Sequence, residues 1–257
     1  MARAVTRRAR HAAAVRDMRR AAHAHGSRIA GIDALRGIAL LLMFVYHFAF
    51  DLRFYRVIAA DFEHDPFWLG FRALIVASFM TLVGISLVLA HSAGATRAHF
   101  WRRVGVIAAC AVAASAGSWI LFPKTFIYFG ILHAIVAASI LAALFVSRPL
   151  IALAIATALI VAGVTFTHPA FDSRWLSWIG FVTHKPATED YVPLAPWAGF
   201  VFAGIAAAHA LAALRWRPVA SLAGAPRTLR WLGRHSLLVY MLHQPILFAV
   251  LWLFFGR

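Results

Sequence analysis

The chain has a single cysteine and nine acidic residues among 257. The lone thiol, Cys110, excludes an intrachain disulfide, and it lies among alanines in an apolar stretch, where a thiolate would be desolvated and a weak nucleophile. Charged residues of both signs make up 13%, against 63% hydrophobic residues and a mean hydropathy of +0.79, which is too apolar for a soluble domain. Despite 13 histidines, no His-x-x-x-His or Cys/His pair lies within an apolar stretch, so no metal is expected. No inverted repeat is evident, which weighs against a transporter. No apolar segment with a small-residue cleavage site precedes the first long apolar stretch, which is therefore expected to act as an uncleaved anchor.

Seven stretches have the length of a bilayer-spanning helix: about 31–52, 68–90, 104–122, 125–146, 149–167, 195–214 and 235–255. The expected fold is all-α, a polytopic membrane bundle of about seven transmembrane helices over residues 28–257. Residues 1–27 form a basic extension, disordered or lying on anionic lipid. Nine arginines fall in residues 1–36, three in 97–103, one at Arg148 and five in 215–234, all in alternate connections. The other connections hold Asp51, Asp61, Glu63, Asp65, Asp172, Glu189 and Asp190. This positive-inside asymmetry predicts a cytoplasmic N-terminus and accounts for the net charge of +16 without a nucleic-acid partner.

The first span carries the informative polar residues. Arg36 and His47 are eleven residues apart, about 1100° or three turns plus roughly 20°, and so share a helix face. Asp33 lies one turn before Arg36, and Asp51 one turn after His47. Asp51 is expected to orient His47 and raise its basicity, as a general base requires. Asp33 and Arg36 read either as a structural ion pair or as a gate for an anionic ligand. Arg72, near the outer end of the second span, either snorkels or faces substrate. His133 and His243, nearer the midplane of the fourth and seventh spans, either join helices by hydrogen bonds or line a common cavity with His47. His64, in the outer loop His64-Asp65-Pro-Phe-Trp68, stands where a substrate would enter.

The run from Arg28 through Asp33, Arg36 and Gly37 to His47 resembles the opening span of bacterial relatives of heparan-α-glucosaminide N-acetyltransferase. The Phe79–Ser86 stretch with Gly84, the Phe129-Gly130-Ile-Leu-His133 run, and the closing Leu232-Gly233-Arg-His-Ser236 to His243-Gln244-Pro245 segment resemble that family too. The Arg36 to His47 spacing is also similar to that of a wider superfamily of membrane acyltransferases. The resemblance implies acyl transfer from cytoplasmic acetyl-CoA or another acyl-CoA to an amine or hydroxyl of a sugar or cell-envelope glycan, in the plasma (inner) membrane. Eukaryotic members carry Asn at the position of His47 and a catalytic His in the outer loop before a Trp, which His64 matches. With no large luminal domain here, heparan itself is not the expected acceptor.

In chemical terms, His47 or His64 is the candidate base or acyl carrier. Arg36 would draw CoA phosphates, and Arg72 would stabilise an oxyanion or an anionic acceptor. Direct attack and a two-step transfer through acyl-histidine both remain open, as does assembly into a homo-oligomer. The competing class is a transporter or flippase with an intramembrane His/Arg/Asp relay.

Overall fold

The computed structural model describes residues 29–255. The expected basic extension, 1–27, lies outside the described residues. Among those described, every regular element is a helix: α1 (Ala30–Phe54), α2 (Pro66–Ser92), α3 (Arg97–Leu121), α4 (Ile131–Ala143), α5 (Pro149–Thr165), α6 (Leu194–Ala213), α7 (Arg217–Ala220), α8 (Arg227–Arg234) and α9 (Ser236–Phe255). Short 3-10 turns at Pro169–Asp172, Ser177–Ile179 and Ser221–Gly224 complete the set. Helices α1, α2, α3, α6 and α9 are long and apolar enough to cross a bilayer. Each of the seven apolar stretches thus contains a helix, although α4 and α5 are shorter than a full span.

The correction falls on residues 125–146. A continuous span was expected there, but the helix begins only at Ile131 and has 13 residues, about 20 Å at 1.5 Å per residue. The preceding segment runs non-helically and pairs with the end of the 168–194 connection. Glu189 N donates to Thr125 O at 2.8 Å, Val192 N to Phe129 O at 3.3 Å, and the Thr188 hydroxyl to Phe126 O at 2.8 Å. Backbone groups that a helix would have satisfied internally are satisfied by this strap. Asp190 then takes the Ile131 N–H at 2.8 Å, capping α4.

The chain divides into two compact units. One comprises Met80–Ala220, in which α5 packs along α6 and α4 packs against α3 and α6. Gly84 of α2 and Gly204 of α6 face each other's backbones, at Val201 and Thr81 respectively, and neither leaves room for a Cβ. The connection after α5 closes over this unit: Arg174 lies over the rings of Phe126 and Tyr128, and Tyr191 OH donates to Ser177 O at 2.6 Å. Burial, with Tyr128 and Asp172 nearby, holds the Tyr191 phenol above its ordinary range, so it remains a donor.

The other unit, Ala30–Phe79 and Ser221–Arg257, carries α1, the first half of α2, α8 and α9. Its core is Leu40, Met43, Tyr46, Phe62 and Ile75, with Trp68, Phe71, Val239 and Tyr240 against it. Phe62 comes from the loop after α1 and packs edge-to-face against Tyr46 and Phe50 and tilted against Trp68, at 5.4, 5.3 and 4.3 Å between ring centroids. That contact pins the loop carrying His64 onto α1. At the other end of α1, the backbones of α1 and α8 approach closely at two glycines. A Cβ at Gly37 would collide with the Leu229 carbonyl, and one at Gly233 with the Asp33 carbonyl.

Candidate active site

Within the second of these units, His47 of α1 meets His243 of α9. Nδ1 of His47 lies 3.3 Å from Nε2 of His243 and 3.1 Å from the Met43 carbonyl, with the ring centroids 4.8 Å apart. Nδ1 of His243 bonds to the Tyr240 carbonyl. The pair is walled by Tyr46 against His47 at 5.7 Å and by Phe44 and Tyr240 against His243 at 5.5 and 5.4 Å. His243 is buried and His47 half-buried. Nε2 of His47 has no hydrogen-bond partner among the described residues.

The expected Asp51–His47 contact is not made. Asp51 is fully buried, and its Oδ1 accepts the Gln244 amide at 2.7 Å. Asp51 Oδ2 and Gln244 Oε1 are buried without hydrogen-bond partners. Residues at i and i+4 are neighbours on a helix, but neighbourhood does not decide which partner wins. The acid is held by the amide of α9, and the His47 ring turns to His243 and to its own Met43 carbonyl.

An acid–histidine pair does form in the loop after α1. Nδ1 of His64 lies 3.0 Å from Asp61 Oδ2, and the side chain of His64 is 81% exposed. Asp61 also accepts the backbone N–H groups of Glu63 at 2.9 Å and of His64 at 3.0 Å. These bonds, that from Glu63 first, hold the Asp61 carboxyl below its ordinary range.

At the start of α1, Asp33 is buried between two arginines. Arg36 Nη1 donates to its Oδ1 at 3.2 Å and Arg234 Nε to its Oδ2 at 3.1 Å, while Arg36 Nη1 also reaches Gly233 O at 3.3 Å. Arg230 of α8 has a buried Nε without a hydrogen-bond partner. Arg227, Thr228, Trp231 and Leu232 line an open depression on the same helix. One buried acid therefore stands between two guanidinium groups, those of Arg36 and Arg234. Sequence reading identified Asp33 and Arg36 and missed Arg230 and Arg234. Their signal was the helical spacing of arginines in Arg227-Thr-Leu-Arg230-Trp-Leu-Gly-Arg234.

Arg72 is half-buried in the second turn of α2, beside Phe71, and makes no ion pair or hydrogen bond among the described residues. His133 belongs to the other unit. Gly130 N donates to its Nδ1 at 3.3 Å, so its proton sits on Nε2, 3.4 Å from Ser115 Oγ, and that hydroxyl in turn donates to Ile127 O at 2.6 Å. His133 thus ties the non-helical entrance of α4 to α3. Among the described residues, no three His, Cys, Asp or Glu side chains gather as a metal-ligand set.

Long apolar helices with ionisable residues drawn into pairs between them define a multi-pass integral membrane protein. The chain belongs to the family of the heparan-α-glucosaminide N-acetyltransferase catalytic domain, whose model, "Heparan-alpha-glucosaminide N-acetyltransferase, catalytic", matches residues 28–245. That range contains the four motifs that carried the resemblance. No curated protein and no solved structure matches the chain significantly.

Proposed function

We propose that the protein is an acyl-CoA-dependent membrane acyltransferase of the plasma membrane, with its N-terminus cytoplasmic and a sugar or cell-envelope glycan as acceptor. The observation that carries this reading is His47: a half-buried imidazole, one nitrogen engaged and the other without a partner among the described residues, on the helix whose other end holds the arginine cluster. Acyl-CoA phosphates bind at Arg36, Arg230 and Arg234, with Asp33 setting the spread of the guanidinium groups. Eleven residues of helix separate Arg36 from His47, about 16 Å, within the reach of an extended pantetheine arm.

The acceptor hydroxyl or amine attacks the thioester carbonyl as His47 Nε2 takes its proton. The tetrahedral intermediate then expels CoA by breaking the C–S bond, and the thiolate recovers the proton from His47. Arg72, without a partner among the described residues, binds the oxyanion or an anionic acceptor. His133 serves to fix α4. Asp51 is a positioning residue that joins α1 to α9 through Gln244.

A second reading is favoured by one observation, the Asp61–His64 pair, which gives His64 the carboxylate partner that His47 lacks. We prefer His47 because an 81%-exposed imidazole works in bulk water, where neither the base nor the thioester is shielded.

The test is transfer of a labelled acetyl group from acetyl-CoA by purified protein. His47→Ala is expected to lower transfer by about 100- to 10,000-fold and His64→Ala only moderately. The opposite order would assign the chemistry to His64. Label retained on denatured wild-type protein and lost in one variant would identify an acyl-histidine. A protein that neither hydrolyses nor transfers the thioester would return the reading to a transporter.

A further inference from the structure

We infer that His243 is a positioning residue that fixes the tautomer of His47, an inference that rests on reading His47 as the base. The Tyr240 carbonyl has no proton to give, so His243 Nδ1 carries one and donates it. In the neutral ring, His243 Nε2 is then a bare lone pair. That lone pair lies 3.3 Å from His47 Nδ1, which also faces the Met43 carbonyl at 3.1 Å. Both neighbours of His47 Nδ1 are acceptors, so this nitrogen carries the proton and donates. His47 Nε2 is left unprotonated, and it is the nitrogen with no partner among the described residues.

Two backbone carbonyls thus set the protonation pattern of two rings, and His243 passes the instruction from α9 to α1. Free imidazole side chains favour the opposite tautomer, with the proton on Nε2 and no basic nitrogen facing outward. When His47 accepts a proton from the acceptor, its Nδ1–H bond to His243 becomes charge-assisted and shares the new positive charge. This is the part sequence reading assigned to Asp51, played by a neutral residue 196 positions away. The side chains of Phe44 and Tyr240 hold the His243 ring in place to play it.

The test uses full-length protein labelled with 15N-histidine in lipid nanodiscs, with His47→Gln identifying the His47 resonances. Wild-type His47 is expected to show a protonated Nδ1 and a bare Nε2. His243→Ala should shift it toward the Nε2–H form and lower kcat by about 10-fold or more, with KM for acetyl-CoA within about 2-fold. His243→Gln, whose amide oxygen can accept in place of Nε2, should restore the wild-type tautomer and most of kcat. A protonated Nε2 in wild-type His47, or a wild-type kcat in His243→Ala, would overturn the inference. The spectrum reads the tautomer whether or not acetyl transfer is found, so failure here is separable from failure of the acyltransferase reading.

Discussion

Gln244 donates its side-chain amide to Asp51 at 2.7 Å, one residue along α9 from the histidine that meets His47. Successive residues of α9 therefore hold two positions one turn apart on α1. The two contacts differ in chemistry. The histidine pair leaves a nitrogen available, whereas the acid–amide pair leaves a buried carboxylate oxygen and a buried amide oxygen unpartnered.

Asp51→Asn is accordingly expected to keep or raise thermal stability in detergent, since it removes a half-satisfied buried carboxylate. Asp51→Ala should lose about 1–3 kcal/mol by leaving the Gln244 amide without its acceptor. Acyl transfer by Asp51→Asn should stay within a few-fold of wild type. A fall of about 100-fold would mean that the acid does act on His47.

Arg36→Ala and Arg234→Ala should each raise the apparent KM for acyl-CoA by about 10- to 100-fold, the worth of a charge-assisted hydrogen bond, while leaving the acceptor KM in place. Steady-state kinetics with each substrate varied in turn would check this. An unchanged donor KM at normal protein levels would make the Asp33 cluster a purely structural clamp.

Gly233→Val places a side chain where the Asp33 carbonyl stands, and Gly37→Val does the same at the Leu229 carbonyl. Each should cost about 1–3 kcal/mol or more through overpacking. The loss would appear as a lower melting temperature and as donor binding weakened before acceptor binding, because α8 carries Arg230 and Arg234.

Asp61 provides a pH prediction. Its carboxyl is held below the ordinary value of 3.8, chiefly by the Glu63 N–H, so the order it gives the loop after α1 is fully present above that pH and is lost as pH falls through the lower folded value. Limited proteolysis at the 61–65 loop should be flat from neutrality down to about pH 5 and should rise only in stronger acid. Asp61→Asn should show the higher cleavage rate at all pH values.

Reporter fusions test the arrangement in the membrane. A periplasm-active reporter joined after Arg257 should be active and one near Pro226 silent, in keeping with the arginines at 215–234.

Local relations were legible in the sequence where helix geometry alone decides them. Asp33 and Arg36, three residues apart, do pair, and each of the seven apolar stretches does contain a helix. The contacts that complete the site join residues nearly 200 positions apart: His47 with His243, Asp51 with Gln244, Asp33 with Arg234. No periodicity carries such information, and the one local contact expected at the histidine, Asp51 to His47, lost to a partner on another helix. In the sequence, the glycines at 37, 84 and 233 stand out only as features of the resemblance. Their physical reason, backbone lying against backbone, emerges only from the packing. The shortness of α4 was hidden because the apolar run at 125–146 gives no sign that Asp190 and the 188–192 strap claim its first turns.

That strap bears on how the protein meets its bilayer. Helix α4 supplies about 20 Å of a hydrocarbon layer about 30 Å thick, and the chain continues from it as extended backbone sealed by its own partner segment. Such a seam is tolerated at lipid depth only while protein covers it. Thicker membranes would stretch lipid over polar backbone here, and thinner ones would relieve the mismatch. The lipid composition of the host membrane thereby becomes a variable acting on the strap and on His133 behind it, separately from anything that happens at His47.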